Sequence, residues 1–67
     1  MQSDRIRERI LALLSGEDAR YLNIESIAEA VGISRPTASK YLAVLEAEGI
    51  VRYYHVGNAK VWELIQK

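Results

Sequence analysis

The residues best equipped for chemistry are Ser34, Arg35, Thr37, Ser39 and Lys40, gathered in the stretch 33–49, ISRPTASKYLAVLEAEG. They bring hydroxyls, one guanidinium and one ammonium. No carboxylate offsets them between Arg35 and Val44. That set suits non-covalent recognition of a polyanion. Hydroxyls donate to phosphates or take either role at a base edge, and the Thr37 methyl can pack on a thymine methyl. Arg35 is the side chain able to fork onto guanine O6 and N7, a contact worth ~1–3 kcal/mol of discrimination. Lys40, a compact point charge, suits a phosphate better than a base. The set does not suit catalysis. There is no cysteine and one histidine, His55, and the sequence offers no nucleophile–base pair, glycine-rich phosphate loop or carboxylate–histidine cluster. The expectation is therefore no enzyme, no metal site, no cofactor and no evident small-molecule ligand.

The stretch needs elements to hold it. Ser34 is a good N-cap, and Pro36 falls in the first turn, where its missing N–H has no partner to lose. Ala38, Tyr41, Leu42 and Leu45 form an inward stripe at helical spacing, while Pro36, Thr37, Ser39, Lys40, Ala43 and Ala47 look outward. These outward residues are mostly small, which lets a helix axis sink into a groove ~12 Å wide. Tyr41 has two readings: packed inward, or with its hydroxyl turned to a phosphate. Gly49 closes this helix, predicted over 34–48. Upstream, Gly32 permits a sharp turn and Ile33 plugs it. Asn23 caps a helix from Ile24 or Glu25 to Val31, burying Ile24, Ile27, Ala28 and Val31. A brief strand is expected near 21–24. Ser3 and Asp4 cap a first helix to about Ser15, with Ile6, Ile10, Leu13 and Leu14 inward and Gly16 as a left-handed cap. Leu11 lies off that stripe, either as a partly exposed leucine or as a subunit contact. Residues 17–20 read as a polar link.

After Gly49 the hydrophobic period changes from 3.6 to 2, with Gly57 and Asn58 as a hairpin turn. A two-residue loop pairs Tyr53 with Trp62 and Val51 with Leu64 on an apolar face. It pairs Arg52 with Glu63 and Tyr54 with Val61 on the other. Trp62 is expected in the core. His55 reads either as a plain exposed residue or as a phosphate contact.

Sixty-seven residues make one domain, 1–67. Such a chain buries only ~60% of its unfolded surface, so a stability of a few kcal/mol is expected. No apolar run approaches the ~18 residues of a membrane span, and the charged N-terminus lacks a signal-peptide core. The reading is a soluble cytoplasmic protein with no membrane partner. The net charge is zero, but residues 1–34 hold four basic against six acidic residues, and residues 35–67 hold five against three. The basic half contains the helix with the hydroxyl-rich face. So few charges per copy imply few phosphate contacts, which dimerisation would offset.

Three helices followed by a hairpin give an α+β fold, the winged helix-turn-helix. The segment IAEAVGISRPTASKYLAVLEAEGIVRYYHVGNAKVWEL resembles the winged helix-turn-helix domain of small bacterial and archaeal transcriptional regulators, arsenic-repressor-like in flavour. The resemblance covers about residues 22–65, through the pattern G-I-S-x-x-T-A-S-x-x-L-x-x-L-x-x-x-G-I-V. It implies binding of double-stranded operator DNA as a homodimer, mostly in repression. By position it implies DNA contact from Ser34, Arg35, Pro36, Thr37, Ser39 and Lys40, and from the wing around His55, Asn58 and Lys60. The metal-ligand clusters of the sensing members are absent, so metal sensing does not carry over. The alternative is a winged-helix protein-interaction module, or a piece of a larger DNA-associated assembly, because fold does not fix function.

Overall fold

The computed structural model describes residues 4–16 and 22–65. The elements run α1 (Arg5–Leu14), β1 (Leu22–Asn23), α2 (Ile24–Val31), α3 (Arg35–Ala47), β2 (Val51–Val56) and β3 (Ala59–Leu64). This is the expected winged helix-turn-helix, three helices and a hairpin wing, with the short extra strand in place.

Each helix starts on a side-chain cap. Asp4 accepts from the Arg7 N–H at 3.3 Å, Asn23 from Ser26 at 2.8 Å and Ser34 from Thr37 at 3.3 Å. Ser3, the 17–20 link and Tyr21 lie outside the described residues. Gly32 takes φ 82°, and the amides of Gly32 and Ile33 both return to the Ala28 carbonyl at 2.8 and 2.9 Å. α3 ends similarly. Gly49 has φ 76°, its amide reaches Glu46, and the Ile50 amide reaches Leu45, both at 3.0 Å. Glycine is suited to both turns because a Cβ is strained at these angles.

The expected left-handed cap at Gly16 does not form. Ser15 closes α1 in the right-handed region, and its Oγ donates to the Ala12 carbonyl at 2.9 Å. The last turn tightens further, with the Gly16 amide on Leu13 at 3.3 Å. The carbonyls of Leu11, Ala12 and Leu13 are thus satisfied without a positive φ.

Ile10, Leu14, Ile27, Val31, Leu42, Leu45, Val51 and Trp62 form the core cluster. Leu11 packs partly against it and stays partly exposed, in line with the first of its two readings. α1 touches both α2 and β3, which widens its buried arc.

The sheet has the order β1-β3-β2, all antiparallel. The hairpin register is as expected: Val51 faces Leu64, Arg52 faces Glu63, Tyr53 faces Trp62 and Tyr54 faces Val61. Two details differ. Val61, assigned to the polar face, is only 1% exposed, because β3 is the middle strand and Val61 is flanked by Asn23 as well as Tyr54. Tyr53, assigned to the apolar face, is 40% exposed. The helices cover that face at Val51 and Trp62, but not out to Tyr53.

Candidate nucleic-acid interface

The back of α3 fixes its front. Ala38, Leu42 and Leu45 are fully buried, while Ser34, Arg35, Pro36, Ser39, Lys40 and Ala43 are exposed and Thr37 is half-buried. α3 carries no acidic residue in its first turn, so its N-terminal partial positive charge is not offset from within the helix. Ser34 does more than cap. Its Oγ also donates to the Thr37 Oγ1 at 2.9 Å. Thr37 thereby accepts one bond and keeps its own proton for an outside acceptor.

Arg35 leads the helix with its side chain 66% exposed. Its NH1 lies 3.6 Å from the Glu25 Oε1 of α2. The sequence showed an acid-free helix face. Nine residues, the turn among them, separate Glu25 from Arg35, and no spacing rule signals that contact.

Tyr41 satisfies the inward reading for its ring, which packs partly against the core. Its hydroxyl donates to the Asp4 Oδ1 at 3.1 Å. That hydrogen bond, then desolvation, then the nearby Asp4 charge raise the tyrosine pKa above its ordinary value of 10.0, so the hydroxyl keeps its proton. Beside it Arg7 pairs with Glu48 at 2.7 Å, tying α1 to the end of α3. Asp4, Arg7, Lys40, Tyr41 and Val44 line a shallow cleft of about 270 Å³ along this seam.

The hairpin places a further cation, Lys60, beside aromatic rings. Lys60 Nζ sits 3.9 Å from the Tyr53 ring centroid and 5.0 Å from that of Trp62. The Tyr53 and His55 rings meet edge-on at 6.0 Å. His55 faces Lys60 across the hairpin, and both share the face of Trp62. Trp62 is buried, as expected for a core residue. Arg52 pairs with Glu63 on the opposite face. His55, Asn58 and Lys60 are all exposed. Thus 34–40 and the wing tip form two separate basic surfaces, with Tyr41 at the edge of the first.

Residues 3–52 match the family described as winged helix-turn-helix DNA-binding. The chain belongs to this family. The HTH-type transcriptional regulator LrpA1 of Halobacterium salinarum is 41% identical over 54 residues, covering 81% of this chain and 37% of that protein. A mutant of MepR from S. aureus superposes with a TM-score of 0.87 at 23% identity, over 94% of this chain and 48% of that one. At that identity the likeness to MepR shows the shared winged helix-turn-helix fold. This winged helix-turn-helix chain therefore spans less than half the length of either relative. The arsenic-repressor flavour of the resemblance finds no support in these two proteins. Among the described residues no group of His, Cys, Asp or Glu could hold a metal ion, and no helix is long and apolar enough to cross a membrane.

Proposed function

We propose that residues 1–67 form one winged helix-turn-helix domain that binds double-stranded DNA with sequence preference and regulates transcription, by repression, in the cytoplasm. α3 enters the major groove, with Ser34, Arg35, Pro36, Thr37, Ser39 and Lys40 against DNA and Tyr41 at the edge of the contact. Arg35 reads a guanine edge. Lys40 takes a phosphate. The wing residues His55, Asn58 and Lys60 lie against backbone or the minor groove. The observation that carries this reading is the outward face of α3: exposed, acid-free in its first turn, and fixed from behind by fully buried residues. A helix that reads bases needs such a rigid back, because a base-edge contact tolerates little misplacement. The similarity to LrpA1, an HTH-type transcriptional regulator, supports the regulatory part of the reading.

The active species in this reading is a homodimer. One copy presents few cations, and pairing two copies doubles the phosphate contacts. A second reading, a protein-interaction module or part of a larger DNA-associated assembly, draws on Val44 at 46% and Val56 at 42% exposure. One titration separates the two. Fluorescence anisotropy with duplex DNA at two salt concentrations should give binding that weakens as salt rises. Salt-independent binding, or none, favours the protein-contact reading. Sedimentation of the same samples tests the dimer.

A further inference from the structure

We infer that Glu25 is a specificity-determining residue, which acts through Arg35 by making phosphate a poor target for its guanidinium while leaving a guanine edge open to it. This rests on the DNA-binding reading of α3 given above. Glu25 lies in the first turn of α2, where its charge complements the helix N-terminus, a role that does not require contact with Arg35. Asn23 already caps α2, and the ion pair with Arg35 is exposed on both sides, at 70% for Glu25 and 66% for Arg35. A pair so exposed adds little to stability.

Its effect on recognition is larger. A guanidinium at the front of α3 has two kinds of acceptor in DNA. Phosphates are present at every sequence, whereas guanine O6 and N7 occur only at some. A phosphate brought to Arg35 also approaches the Glu25 carboxylate, and the two anions repel. A guanine edge is neutral. Arg35 has five N–H donors, enough to keep its contact with Glu25 and still fork onto a base. The carboxylate therefore penalises docking on arbitrary sequence more than docking on a site with guanine in register, which is selectivity through a repulsive element. Lys40, on the same face, makes no ion pair among the described residues, which leaves it open to phosphate.

The test uses a duplex selected by this chain from a random pool, and the same duplex with the selected guanines exchanged for adenine. Glu25→Gln should tighten binding to both, and to the exchanged duplex more. The ratio of the two affinities should then fall about two- to fivefold, the scale of an exposed ion pair. Glu25→Asp keeps the charge in the first turn of α2 but is one methylene shorter. It should lower the ratio without the general tightening. In an Arg35→Ala background, Glu25→Gln should shift both affinities by one common factor. Circular dichroism checks that each variant is folded. A Glu25→Gln variant that keeps Arg35 and shifts both affinities equally overturns the inference while leaving DNA recognition by α3 standing. A parent chain that does not discriminate between the two duplexes overturns that recognition, and this inference with it.

Discussion

The front of α3 and the tip of the wing both offer cations to solvent, yet they are held in different ways. α3 is capped at both ends and pressed against the core by three fully buried residues. The wing tip is held by cross-strand pairing and by Lys60 resting on the Tyr53 ring, and every residue from 55 to 60 is exposed. The difference matches two kinds of recognition. A base edge demands fixed distances and directions. A phosphate accepts a cation over a wide range of approach. In the proposed reading the α3 surface meets the first demand and the wing the second.

Removing the support under α3 should have the largest effect. Leu42→Ala empties a fully buried site, which costs about 2–5 kcal/mol. That is comparable with the whole stability expected of so short a chain. Helicity and DNA binding should both be lost at room temperature, read by circular dichroism and gel shift. A folded variant binding like the parent would show that α3 does not depend on its buried back.

A change at the cap separates support from contact. Ser34→Ala removes the bonds to Thr37 and should lower stability by about 1 kcal/mol in a urea melt. Ser34→Asp restores a cap but places an anion on the outward face. It should melt close to the parent and bind DNA less well than Ser34→Ala does. If Ser34→Asp binds as tightly as the parent, the start of α3 does not meet phosphate.

The smallest effect is expected at the wing. Lys60→Ala should weaken binding to all sequences alike and make the salt dependence shallower by about one ion. A change in which sequence is preferred would mean that the wing reads bases, and the contrast with α3 would fail.

Much of this was legible in the sequence, because local rules decided it. The caps at Asp4, Asn23 and Ser34, the glycine turns and the hairpin register all follow from neighbouring residues. The end of α1 was misread because Gly16 offered a familiar signal, while Ser15 satisfied the helix end with its own hydroxyl. Val61 was misread because strand alternation does not reveal that β3 has a neighbour on each side. The contacts that shape the candidate site were the least legible. Glu25 beside Arg35, Asp4 on the Tyr41 hydroxyl and Arg7 on Glu48 are placed by the packing of separate helices. Charge counted along one helix could not show that a neighbour supplies the acid.

The claim that 34–40 is the reading surface is tested most directly by titrating Arg35→Ala and Lys40→Ala against the selected duplex and a shuffled one at two salt concentrations. Arg35→Ala should lose about 1–3 kcal/mol of preference for the selected duplex while keeping most of its general affinity. Lys40→Ala should keep the preference, bind both duplexes more weakly and show a shallower salt slope. If both variants bind both duplexes as the parent does, α3 does not face DNA through these residues.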